Sequence, residues 1–229
     1  MSEDHRVRVD WQPKGTDLAG RRLLVAGDRG TAAAVAGEAV RCGAVVIVAT
    51  DVHGDGDGSP EGHAIRYDGR SEADIERTVD MVLEGTPGLD GMIVAIAPDP
   101  LPPLEEGDLE SWERCITQPL RTTFWLVRRG VHELLAAGRG GHLVMVVAGG
   151  RGNSELRSAW ILEGALVSLA RSIAKEYGRR AITCNVVAGG STSAAPREVV
   201  DAALFLASPA AGFVTGECLR VAGDAMGSE

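Results

Sequence analysis

Lysine and tyrosine are nearly missing from this chain: in 229 residues only Lys14 and Lys175 carry an ammonium, and only Tyr67 and Tyr177 a phenol. Their spacing excludes a helical Tyr–Lys pair. A step of four residues puts two side chains on one helix face, and at that step Tyr67 is followed by Ser71 and Tyr177 by Ala181. A phenol with an ordinary pKa of about 10 needs such a cationic neighbour to move protons near neutral pH. Positive charge is short as well: Lys and Arg number 23 against 32 Asp and Glu, a net charge of −9. That balance excludes the basic footprint a nucleic acid or an anionic membrane surface requires. No apolar run is long enough to span a bilayer, and residues 1–10 are polar and charged, unlike a secretory leader. Cys42, Cys115, Cys184 and Cys218 lie far apart with no Cys-x-x-Cys spacing, which argues against a metal site or a disulfide framework. Three of them fall in or beside apolar runs and are expected in the core. The expected compartment is the reducing cytoplasm.

What is present is an alternation of short apolar runs with helical segments. It predicts a single-domain α/β fold, a Rossmann-type doubly wound parallel sheet with helices on both faces. Residues 1–17 read as a polar N-terminal arm and 18–229 as the folded domain. Strands are predicted at 22–26, 44–49, 63–67, 89–96, 142–147, 181–187 and 217–222. Helices are predicted at 31–41, 71–84, 158–177 and 196–206, with a longer helical region at 109–137 that Pro119 interrupts. Ser71 and Asp74 have the spacing of a capping box.

Gly27-Asp28-Arg29-Gly30 follows the first strand and opens the first helix. Glycines there let the backbone approach a pyrophosphate, and a helix N-terminus offers oriented N–H groups. The order of strand, glycine turn, Ala-rich helix and second strand is that of a dinucleotide-binding half.

With these motifs in place, the chain resembles the short-chain dehydrogenase/reductase (SDR) family from Leu18 onward. LAGRRLLVAGDRG is similar to the family's opening strand and glycine loop, and LDGMIVAIAP to its fourth strand. SWERCITQPL resembles the helix start that carries the active-site Asn, and GGHLVMVVAGG the strand ending in the catalytic Ser. GALVSLARSIAKEYGRRAITCNVVAGG and VVDAALFLASPAAGFVTGECLRVAGD resemble the late helices and strands. The resemblance implies cofactor-binding positions at Gly27, Arg29, Gly30, Asp51 and Asp68. Asp51 would repel a 2′-phosphate, which favours NAD over NADP. The loop departs from the family's pattern: it is one residue short, Ala32 stands where a third glycine would fall, and Val94-Ala95-Ile96-Ala97 replaces an Asn-Asn-Ala-Gly turn. NAD binding is therefore expected to be weak or absent.

The family's proton-moving residues do not carry over. By alignment Pro119 replaces the Asn, Ala148 the Ser, Ala159 the Tyr and Glu163 the Lys. A carboxylate would invert the electrostatics, since it raises a neighbouring phenol's pKa where an ammonium lowers it. Only STSAA separates Gly190 from Pro196, too little for the family's substrate-covering segment. Elsewhere, His53 and His63 with Asp55 and Asp57 have no ligand spacing of a closed metal site. His132 and His142 are expected at the surface, Glu163 is expected as a surface helix glutamate, and Ser154 and Ser158 have no adjacent base.

With the chemistry removed, what remains is interface. The resemblance implies that the helix carrying Leu166, Leu169 and Ile173 and the strand Cys218–Val221 build oligomer contacts. The leading expectation is a catalytically silent subunit that assembles with an active SDR-family partner. A homo-oligomer that senses NAD is the second. The third is an enzyme of repurposed chemistry, a cyclase or lyase, with an apolar pocket around Ala148, Ala159 and Trp160.

Overall fold

Runs that are apolar on both faces of a strand become the middle of a sheet. β1 (Arg22–Gly27), β4 (Gly91–Ile96) and β5 (Gly141–Val147) are buried along nearly their whole length in the computed structural model, which describes residues 18–51, 64–69, 71–149, 153–189 and 197–221. With β2 (Val45–Asp51), β3 (Ala64–Tyr67), β6 (Ile182–Gly189) and β7 (Cys218–Val221) they form one sheet in the order β3-β2-β1-β4-β5-β6-β7, every pair parallel.

Side chains alternate across the sheet, so each strand feeds two cores. Leu24, Met92, Leu143 and Cys184 point to the face covered by α2 (Glu72–Leu83), α4 (Gln118–Ala137) and α5 (Asn153–Tyr177). Leu23, Ile93, Val144 and Val187 point to the face covered by α1 (Arg29–Arg41) and α6 (Arg197–Leu206). Each fully buried Leu or Ile contributes about 1.5–3 kcal/mol of transfer free energy. Asn185 is buried on β6 yet paired: its amide N–H donates to the Val214 carbonyl and its Oδ1 accepts the Glu217 N–H. Those two bonds steer the chain into β7.

Most predicted elements fall within a residue or two of the observed ones; α5 begins at Asn153, five residues before its predicted start, and three further expectations are corrected. Pro119 does not interrupt the long helix. α3 (Leu109–Trp112), a π turn (Glu113–Thr117) and α4 run on without a break, and Pro119 sits in the first turn of α4. Proline has no N–H to give the previous turn. The Gln118 N–H, one residue before it, reaches back five positions to the Glu113 carbonyl, which is the widened step of a π turn. The second correction is His142, expected at the surface. It is buried on β5, with Nδ1 2.9 Å from the Thr183 hydroxyl, because parallel pairing with β4 and β6 covers both its sides. The third is Glu163, taken up below.

Of the capping box predicted at Ser71, half forms. The Ser71 hydroxyl accepts the Asp74 N–H, while the Asp74 carboxylate turns instead to the Asp68 N–H. Arg129 on α4 ties that helix to α2 through Glu76 and Asp80, and to Glu133 on its own helix. Cys115 and Cys184 are buried, as expected, and Cys42 and Cys218 are half-buried. The polar arm 1–17, the loop bearing His53, Asp55, Asp57 and His63, Ser154, and the 191–195 connection fall outside the described residues or side chains.

Candidate functional site

β1 lies inside the sheet, and the chain leaves it toward β2 on one side before returning to β4 on the other. The carboxyl ends of β1 and β4 therefore flank the switch point where open α/β sheets place a ligand. Gly27 ends β1 there with φ +118°, a left-handed value, and a Cβ on it would lie 1.9 Å from the Ala95 carbonyl oxygen of β4. The two strand ends are joined by a hydrogen bond from the Asp28 N–H to that same oxygen, at 2.9 Å.

Asp28 then caps α1. Its Oδ2 accepts the Thr31 N–H at 2.8 Å and its Oδ1 the Gly30 N–H at 3.3 Å. Aspartate at this position satisfies two of the orphan donors of a helix start and complements its positive dipole end. The helix thus begins at Arg29, two residues earlier than predicted. Ala32 is fully buried against the sheet, as is Val35.

The five residues expected to hold a dinucleotide are gathered at one edge. Gly27 closes β1, Arg29 and Gly30 open α1, Asp51 closes β2 opposite Tyr67, and half-buried Asp68 follows β3. The Asp51 side chain is outside the described residues. The donor set does not fit a pyrophosphate, however. The N–H groups that would cradle it already serve the Asp28 carboxylate, and the neighbouring Val94 and Ala95 are buried apolar residues with no polar side chain to offer.

The second cluster lies past β5. Ala148 is fully buried, its N–H donating to the Ile96 carbonyl at 2.8 Å. Ala159 on α5 packs beside Gly149, whose Cβ position is 3.6 Å from the Ala159 Cβ. Glu163 follows one helical turn on. Its side chain keeps only 10% of its exposure, which corrects the expectation of a surface glutamate. Arg220 on β7 supplies the reason: its Nε and Nη2 donate to Glu163 Oε1 at 2.8 and 2.5 Å. The carboxylate raises the pKa of Arg220 further, and burial together with that carboxylate pushes the Cys218 thiol up to about 11. Cys218 is thus a protonated thiol beside a fixed ion pair and no nucleophile at neutral pH.

Ahead of this cluster the segment after β4 is tied down. The Ser158 hydroxyl donates to the Asp99 carbonyl, Arg157 to the Leu101 carbonyl, and Leu101 is buried in the core. Trp160, expected to line a pocket with the alanines, instead turns outward and is 63% exposed. Pro119 is engaged within its own helix, its carbonyl accepting the Thr123 hydroxyl. The structure thus sets Ala159 against Gly149, next to Ala148, and ties Glu163, one turn further along α5, to β7. Two residues that sequence reasoning passed over prove central: Asp28, whose place just before a helix is a cap signal, and Arg220, whose partner lies 57 positions away.

Comparison with known proteins agrees with this architecture. Residues 25–195 match the family model described as enoyl-(acyl carrier protein) reductase. The 3β-hydroxysteroid dehydrogenase 2 of Eggerthella lenta is 27% identical over 194 residues, covering 69% of this chain and 73% of that protein. The sorbitol dehydrogenase of Cereibacter sphaeroides is 28% identical over 194 residues, covering 81% and 75%. Among solved structures, an NADH-dependent reductase A1-R′ complexed with NAD superposes with a TM-score of 0.73 at 24% identity, covering 91% of this chain and 98% of that one. A short-chain type dehydrogenase/reductase from Mycobacterium marinum gives a TM-score of 0.76 at 18% identity, covering 93% and 98%. The chain belongs to the short-chain dehydrogenase/reductase family. Among the described residues no helix is long and apolar enough to cross a membrane, and no three His, Cys, Asp or Glu side chains gather as a metal site.

Proposed function

We propose that this chain is a catalytically silent, cytoplasmic subunit that assembles with an active dehydrogenase or reductase of its own family in a heteromeric oxidoreductase. The observation that carries the reading is an apolar, ion-paired site together with exposed aromatic residues on the helices beside it. At the positions of the family's Ser and Tyr stand two methyl groups, which neither hold a substrate oxygen nor move a proton. At the position of the Lys stands a carboxylate neutralised by Arg220. On the same side of the sheet α4 leaves Phe124 46% exposed and α5 leaves Trp160 63% exposed, with Ile161 beside it and Trp112 at the end of α3 also uncovered. A partner chain seated on these helices would cover such side chains and take its binding energy from them. An intact relative would supply the chemistry, and this subunit would supply contact surface and stability to it.

The test is native mass spectrometry of the untagged protein purified from its own cells. The expected result is a mixed assembly with a second chain that carries a Tyr-x-x-x-Lys sequence, and that chain then becomes the enzyme to assay. A homo-oligomer or a monomer as the only species overturns the reading.

A further inference from the structure

We infer that Asp28 is a built-in stand-in for the cofactor's pyrophosphate: its carboxylate fills the anion cradle at the start of α1 and keeps this chain from taking up NAD. The inference goes beyond the subunit reading and does not depend on it.

Three observations meet at this residue. The first is occupancy. The Gly30 and Thr31 N–H groups are the donors that the strand–turn–helix geometry aims at a phosphate, and both point at Asp28 oxygens. An incoming pyrophosphate would have to displace a carboxylate held by two hydrogen bonds and by the helix dipole. The second is tethering. The Asp28 backbone is fixed to β4 through the Ala95 carbonyl, so the carboxylate can leave the donors only by side-chain rotation and stays beside the cradle. The third is charge. A displaced carboxylate would remain within a few ångströms of the phosphates, and two like charges at that separation near a protein surface repel strongly. A neutral cap such as Ser or Asn would leave the helix start just as well satisfied. The choice of Asp adds a negative charge at the one place where a dinucleotide binder needs none.

The consequence is a subunit whose nucleotide half is folded and closed without cofactor. Its α1 start is satisfied from within the chain, so its stability does not follow the NAD pool, as it would for a protein that binds the ligand only when folded.

The test uses the full-length protein, with Asp28→Asn and Asp28→Ser as neutral caps, each checked by circular dichroism and thermal unfolding. Binding is read by NADH fluorescence titration and by isothermal calorimetry with NAD. The expected result is no saturable binding to the wild type below millimolar concentrations and binding at least about tenfold tighter in the neutral variants. Wild-type protein that saturates with NADH in the micromolar range overturns the inference. So do folded variants that bind no tighter than wild type. A readout on the wild type alone guards against variants that fail to fold. Inorganic pyrophosphate is titrated while the Gly30 and Thr31 amide resonances are followed by NMR; unmoved resonances support the plug, and saturable shifts overturn it. Because these readouts concern one subunit's own crevice, they separate failure of this inference from failure of the assembly reading, which native mass spectrometry decides.

Discussion

Arg220 on β7 reaches across to Glu163 on α5 and donates two hydrogen bonds to a single carboxylate oxygen. The two partners are unequal: the arginine side chain is 78% exposed and the glutamate side chain 10%. An exposed ion pair adds little by itself, but a nearly buried carboxylate stripped of its partner is costly. The pair therefore sets what this position tolerates. Glu163→Lys, which reverses the charge, places two cations together and is expected to lose on the order of 3 kcal/mol of stability in urea unfolding. Glu163→Gln should lose less, since an amide oxygen still accepts from Arg220. The charge-swapped double variant Glu163→Lys with Arg220→Glu should recover most of the loss. A Glu163→Lys protein as stable as wild type would show that the pair does not hold α5 to β7.

Gly27 predicts a sharper effect. Its φ of +118° is strained for any L-residue, and the Ala95 oxygen stands 1.9 Å from where a Cβ would go. Gly27→Ala should cost about 3 kcal/mol or more, since backbone must move at the centre of the sheet. The measurement is the denaturant midpoint, with Gly37→Ala as control: that glycine lies within α1 and has nothing within 4 Å of its Cβ position. There alanine should be neutral or mildly stabilising.

The order of strands and helices was legible because a parallel sheet buries both faces of its strands, which leaves uninterrupted runs such as Gly91–Ile96 in the sequence. The absence of a Tyr-x-x-x-Lys step was legible too, since it depends on counting alone. What stayed hidden is tertiary. Glu163 looked like a surface residue because its partner sits 57 positions away on the edge strand. His142 looked exposed because it opens a strand, but it is flanked in the sheet by Gly91 on β4 and by Thr183 on β6, whose hydroxyl meets its ring. The helix through Pro119 survives because the π turn ahead of it changes the hydrogen-bonding step, a device without a sequence signature. Asp28 was readable as a cap, yet its meaning for a ligand appears only when both acceptor oxygens are seen on the donors a phosphate would use.

His142 carries the pH dependence. Burial, with Arg21 adding positive charge nearby, lowers its pKa from 6.5 to about 4. The folded state therefore holds a neutral imidazole where the unfolded chain binds a proton. Its contribution is fully present above pH 6.5 and is lost as pH falls toward 4, a total of about 3 kcal/mol. Urea unfolding at pH 7, 5.5 and 4.5 should show stability falling through this window, and His142→Asn, which keeps a partner for Thr183, should flatten the slope. The Asp90 carboxyl does not confuse the reading. Burial raises its pKa, but hydrogen bonds from the Arg22 backbone and from Arg139 outweigh that and bring it below the ordinary 3.8, so it titrates at lower pH. An equally steep slope in His142→Asn would assign the acid sensitivity elsewhere.

Trp160 separates a structural from an associative role on the open face. Its neighbour Ala159 is buried while Trp160 itself is 63% exposed, so a substitution there removes little packing from the isolated chain. Trp160→Asp should leave the urea midpoint within about 0.5 kcal/mol of wild type, as surface changes usually do. If α4 and α5 form the contact with a partner chain, the same change puts a charge into a desolvated aromatic patch, where single residues carry much of the binding energy. The mixed complex should then fall apart by native mass spectrometry, and affinity should drop by on the order of 30-fold or more, the equivalent of about 2 kcal/mol at a central aromatic residue. Phe124→Asp should act in the same direction, while Arg197→Asp, on the opposite face of the sheet, should not. Complex formation that survives both aromatic substitutions would move the interface away from α4 and α5 and leave the exposed tryptophan without a binding role.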